Sequence, residues 1–230
     1  MLVGHFAIGF AGKRLAPTVS LGTLTLASML PDLLGVVFIL AGLEHWRMIP
    51  GARGIDSVEL YDIPLSHSLV MDVLWGLLFA AVYRWRRRHN AGAWMVFAAV
   101  VSHWVLDFIS HRPDMPLAPG TTAVYGLGLW ASLPWTIAIE GGLWLAALIV
   151  YMRMTRASTR AGVWAFWAVV ALLTVSWISN FTASAPPAAQ SPVSGSIIAL
   201  GFFSLMIVWA FWMNRVRPVI ERNTPVERVG

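Results

Sequence analysis

Cysteine is absent from the 230 residues, so neither a disulfide nor a thiolate metal ligand is available. Any bound metal must therefore use imidazole, carboxylate, backbone or water. Charge is scarce: 12% of residues are charged against 58% hydrophobic, and the mean hydropathy is +0.69. Several apolar runs approach or exceed the roughly 20 residues that cross a bilayer. The length therefore suits one helical membrane domain better than a soluble core. Between Gly162 and Met213 there is no acid, lysine, arginine or histidine at all. That stretch reads as packing and lipid-facing helices, which leaves the chemistry to residues 1–150.

The expected fold is all-α and polytopic, with about six transmembrane helices at 20–43, 67–84, 91–110, 131–151, 162–180 and 195–214. A shorter apolar segment, 1–12, precedes them; at about 1.5 Å per residue it enters the bilayer only partway. Residues 1–150 form the site-bearing core. Residues 151–230 add two accessory helices and a basic tail. Of the 16 lysines and arginines, 13 lie in alternate connections and the tail, from Lys13 to Arg228; only Arg47, Arg53 and Arg112 lie on the other side. The positive-inside rule makes the first side, with the C-terminus, cytoplasmic. The pI near 10.4 is thus explained by topology, and a nucleic-acid partner is not expected. The opposite side carries two longer loops, 44–66 and 111–130, and a simple turn at 181–194.

Ionisable residues interrupt the apolar runs, where each costs several kcal/mol unless partnered. Counted along the segments from the basic side, His5, Asp32, His67, Asp72, His103, Asp107, His111 and Glu140 all fall at mid-membrane or beyond. Independent segments need not agree in depth, so the agreement points to one cavity opening outward. His103, Asp107 and His111 stand at i, i+4 and i+8, on one helical face. They are metal ligands or a hydrogen-bonding face between helices. His67, between Ser66 and Ser68 at the start of a span, is a ligand or part of a cap. Asp72, one turn inside, is a ligand or, like Ser66 and Ser68, sits behind the ligands and orients His67 or His103. Asp32 follows Pro31, which kinks the helix, so its carboxylate needs a cation or stays protonated. His5 is a ligand or an interfacial residue. Glu140 is a ligand, a general base or a packing acid. Arg112, beside His111, is suited to a phosphate group or is a plain loop arginine. The donor surplus over one zinc site favours two or three ions.

Gly4-His5, Leu30-Pro31-Asp32, Ser66-His67-Ser68 and Ser102-His103-Trp-Val-Leu-Asp107, in this order, resemble the membrane-bound metal-dependent hydrolases related to the SOS-inducible inner-membrane protein YdjM. That family is distantly similar to zinc-dependent phospholipase C and P1-type nucleases. The resemblance spans roughly residues 1–150. It implies that His5, Asp32, His67, His103 and Asp107 are metal ligands, with His111 standing for a further histidine. The later His-x-x-x-Glu unit of the soluble enzymes is missing, since Thr136 precedes Glu140 by four.

The expectation is a membrane-embedded, metal-dependent hydrolase of a bacterial inner membrane, its site facing the outer side. It would cleave a phosphoester in a phospholipid or lipid-linked substrate with metal-activated water, zinc being the expected ion. Asp32 or Glu140 would accept the proton. The alternative is a metal or ion transporter, or a non-catalytic metal-binding membrane protein. A transport path needs polar groups continuing to the cytoplasmic side, and none follow below Asp32, His103 and Glu140.

Overall fold

The computed structural model describes residues 1–49, 58–182 and 192–220. The chain is mostly helical. Helix α1 (Leu2–Leu15) carries no charge before Lys13, and its Gly4, Ala7, Gly9 and Gly12 let neighbours approach closely. It is accordingly buried, with α2 (Leu21–Ser28), α5 (Asn90–Ser110) and α7 (Gly142–Met154) packed around it. Its far end is held by Lys13. The Lys13 Nζ donates to the carbonyls of Pro17 and Val19 at 2.8 and 2.7 Å, and to Asn214 Oδ1 at 3.3 Å. The connection to α2 closes with Ser20, whose Oγ accepts from the Thr23 N–H at 3.0 Å as an N-cap.

The span expected at 20–43 is two helices, α2 and α3 (Leu30–Leu40), bent by 56°. Pro31 sits in the first turn of α3, where its missing N–H has no partner to forfeit. Helix α4 (Leu69–Arg87) runs back against α5; between them Arg88 takes a left-handed turn (φ 50°) and His89 Nδ1 accepts the Gly92 N–H. A short α6 (Leu133–Thr136) and a π-helical turn (Ile137–Gly141) lead into α7. Helices α8 (Arg160–Thr182) and α9 (Pro192–Val216) complete the bundle. Phe166, Leu173, Met206 and Met213 from these two helices share one core with Phe6, Phe10, Trp144 and Tyr151. Trp164, Val175, Ile198 and Val208 face outward, which suits a hydrocarbon solvent.

Among the described residues, four helical stretches are long and apolar enough to cross a membrane: 90–110, 133–154, 160–181 and 193–216. The bent α2–α3 pair makes a fifth if it is one broken span. Helix α4 has the length, but Asp72, Arg84, Arg86 and Arg87 lower its apolar character.

The two long connections are not wholly irregular. In the first, β1 (His45–Met48) pairs antiparallel with β2 (Val58–Asp62), with a bulge between His45 and Arg47. The Arg47 guanidinium pairs with Glu59 on its exposed face and holds that carboxyl below its ordinary range. In the second, β3 (Met115–Pro116) pairs with β4 (Val124–Tyr125). The turn expected at 181–194 lies largely outside the described residues, as do Arg53, Asp56 and the tail beyond residue 220.

Candidate metal centre

The bend between α2 and α3 builds one wall of the site. It leaves the Ser28 carbonyl, at the end of α2, 2.8 Å from His103 Nδ1. A carbonyl only accepts, so Nδ1 carries a proton, and in the neutral ring Nε2 is a bare lone pair. The bend also sets Asp32 in the first turn of α3, where the helix dipole favours an anion. On α5, His103, Asp107 and the C-cap residue His111 present themselves along one stripe, as their spacing of four predicts. His5 comes in from α1, its ring stacked on that of His103 at 3.7 Å and 8°.

His67 arrives from the turn before α4. Ser66 Oγ has one proton, and it donates it to Glu44 Oε2 at 2.6 Å. The same oxygen lies 2.6 Å from His67 Nδ1 and so accepts the Nδ1 proton. In the neutral ring His67 Nε2 is therefore bare as well. A close approach makes this possible: a Cβ on Gly35 would stand 3.0 Å from Ser66 Oγ and 3.1 Å from His67 Cε1.

These atoms converge in two overlapping groups. His67 Nε2 lies 3.4 Å and His103 Nε2 3.6 Å from Asp32 Oδ1. His103 Nε2 is also 3.1 Å from Asp107 Oδ2, and His5 Nε2 is 3.0 Å from Asp107 Oδ1. His111 Nε2 stands 3.7 Å from the same oxygen, while its Nδ1 is 3.1 Å from Asp114. His103 is common to both groups and fully buried. The Met1 amino group contributes positive charge beside Asp107, 2.5 Å from Oδ1. With both rings neutral, no donor among the described residues stands between Asp32, His67 and His103; His103 Nε2 has no hydrogen-bond partner among them.

With both imidazoles neutral, three acceptors face one another and repel unless a cation lies between them. Separations of 3.4 and 3.6 Å are long for N–H···O hydrogen bonds. They match the edge of a tetrahedral site, about 3.4 Å for zinc bonds near 2.0–2.2 Å. The donor set and its geometry therefore fit a divalent ion.

The other candidates sit as follows. Glu140, buried on the π-turn, has one oxygen 3.3 Å from the Gly4 N–H and the other 3.5 Å from the Trp130 indole. Trp130 in turn covers His111, with ring centroids 4.5 Å apart. Asp72 is buried, but neither carboxylate oxygen has a hydrogen-bond partner among the described residues. The orienting role expected of Asp72 is thus filled by others: Ser66 and Ser28 already take the Nδ1 protons of His67 and His103. Ser68 likewise does not orient a ligand, because its hydroxyl donates to the Pro64 carbonyl at 2.7 Å. Arg112 is engaged by the Val58 carbonyl at 2.7 Å and lies 3.6 Å from Asp114, so it braces the first hairpin.

Glu44 was not among the candidates. Its position in a mixed-charge loop, Glu44-His45-Trp46-Arg47, reads as solvent-facing, yet it is fully buried. The available signal was its place as the first ionisable residue after the apolar run of α3.

A scan of family models matches residues 1–183 to the YdjM inner membrane protein family. The chain belongs to that family. Like it, this YdjM-family chain is an integral inner-membrane protein, and the match covers both ligand groups together with α8. Comparison with curated proteins and with solved structures gives no match.

Proposed function

We propose that this protein is a membrane-embedded, divalent-metal-dependent hydrolase of a phosphoester in a phospholipid or lipid-linked substrate. The observation that carries the reading is the Asp32–His67–His103 group, three acceptors at ligand spacing with no donor among them. These three residues hold one ion; His5, Asp107 and His111 supply donors for a second, with His103 the common member. Imidazole and carboxylate suit zinc. When bound, such ions polarise water and neutralise charge on phosphoryl oxygens.

The chain's own residues do the rest. Asp32 is a quarter exposed where His103 and Asp107 are closed off, so substrate and water reach the site past it. Its carboxylate is placed to take the proton of the attacking water. Glu140, already engaged by Gly4 and Trp130, holds α1 and the π-turn in register instead. The apolar helices around the mouth favour a substrate with acyl or prenyl chains. The basic bias, 13 of the 16 lysines and arginines in alternate connections and the tail, supports a mouth at headgroup depth on the outer side.

The test is hydrolysis by detergent-purified protein, stripped with chelator and then reloaded with zinc or manganese. The expected result is release of a phosphorylated headgroup or inorganic phosphate that disappears on chelation and returns with metal. Metal-loaded protein inert toward every phospholipid and lipid phosphate tried would overturn the assignment.

A further inference from the structure

The environment of Glu44 goes further than the ligand set. Its side chain is fully buried, and it makes no ion pair among the described residues. An acid so placed is costly unless hydrogen bonds compensate it. Glu44 Oε1 accepts from the N–H groups of Leu65 and Ser66 at 2.7 and 2.8 Å. That half of the carboxylate has a purely local purpose: it ties the end of α3 to the turn that precedes α4. The Trp75 indole fixes the same turn from the other side, donating to the Leu65 carbonyl at 2.8 Å.

Oε2 is different. It accepts the Ser66 hydroxyl proton at 2.6 Å, and Ser66 Oγ is 2.6 Å from His67 Nδ1. Loop closure needs neither contact. Because the hydroxyl has a single proton, its donation to Glu44 compels Ser66 to accept from His67. In the neutral ring the lone pair of His67 is then at Nε2, on the side of Asp32.

We propose that Glu44 is a positioning residue: acting through Ser66, it fixes the tautomer and ring plane of His67 and presents Nε2 to a cation at Asp32. The inference rests on the metal-centre reading above, and it adds a carboxylate that touches neither cation nor substrate. It also ties the first hairpin to the centre, since β1 begins at the next residue, His45.

Glu44→Gln tests this in the full-length protein in detergent. An amide nitrogen facing Ser66 Oγ donates where the carboxylate accepted, so the serine proton turns toward His67 Nδ1 and the imidazole proton moves to Nε2. Two readouts follow. In metal-free protein, ¹⁵N histidine spectra are expected to show His67 protonated at Nδ1 in the wild type and at Nε2 in Glu44→Gln. In competition with a chromophoric chelator, zinc affinity is expected to fall about 10- to 100-fold, the usual cost of losing a group that orients a ligand. Ser66→Ala breaks the relay one atom later; it is expected to weaken zinc to a similar degree and to serve if Glu44→Gln does not fold. A variant of either kind that folds and binds zinc as tightly as wild type, with the His67 tautomer unchanged, would overturn the proposal. Wild type that binds no zinc would instead defeat the metal-centre reading, and the tautomer spectra would still decide the role of Glu44.

Discussion

At one end of α1 Lys13 is buried with three acceptors around its ammonium, two carbonyls and the Asn214 side chain, so every donor has a destination. At the other end, about two helical turns away, His5 joins a cluster in which acceptors outnumber donors. The first arrangement is complete as it stands and gains nothing from an added ion. The second has lone pairs aimed at one another from α3, α5 and the turn before α4. Burial of charge is therefore not by itself a sign of a site. What separates a structural lysine from a candidate metal centre is whether the hydrogen-bond inventory closes.

The largest test of the contrast is His103→Ala. Its Nε2 belongs to both ligand groups, so its loss is expected to take the bound metal from two or three ions to one or none. Elemental analysis of purified protein beside wild type reads this directly. The melting temperature of wild type should also drop on chelation, since a ligand bound only to the native state stabilises it, and that drop should vanish in the mutant. Metal content equal to wild type would remove His103 from the centre.

Lys13→Met sharpens the contrast from the other end. Methionine keeps the stem but leaves the Pro17 and Val19 carbonyls and Asn214 without their donor. Losing hydrogen bonds to a charged group should cost about 3 kcal/mol of stability, read by denaturant or thermal unfolding in detergent. Metal content should be unchanged. A loss of metal at full stability would mean that the two ends of α1 are coupled.

How much of this contrast was legible in the sequence depends on the residue. The stripe of His103, Asp107 and His111 was, because α5 is a regular helix and spacing alone sets its faces. Equal depth brought His5, Asp32 and His67 to the same place, and Pro31 marked a disturbance in the run that holds Asp32. What Pro31 did not show was the sharpness of the break at Met29 or the carbonyl it frees at Ser28 for His103. Glu44 was hidden because burial of an isolated loop acid depends on a turn 21 residues further on. The hairpins were hidden for the same reason: β1 and β2 are short, bulged and separated in sequence, so no alternation announces them. Asp72 and Ser68 stand close to the ligands in sequence, but the Nδ1 atoms of His67 and His103 meet Ser66 and the Ser28 carbonyl instead.

The smallest test concerns how tightly the second arrangement is held. Gly35 is within α3, where alanine would ordinarily gain about 1 kcal/mol of helix propensity. Here its Cβ would press on Ser66 Oγ at 3.0 Å and His67 Cε1 at 3.1 Å, and such overpacking costs about 1–3 kcal/mol. The two effects nearly offset, so Gly35→Ala should change the unfolding free energy by only about 1 kcal/mol, on the destabilising side. Displacement of the imidazole has no such offset. Zinc affinity should fall several-fold, less than the roughly 10- to 100-fold expected when the orienting group itself is removed. Calorimetric unfolding of metal-free protein and chelator competition on the same preparation separate the two quantities. A stabilised variant with undiminished affinity would show that α3 can move away from the turn, and that the spacing at Asp32, His67 and His103 is looser than 3.4–3.6 Å suggests.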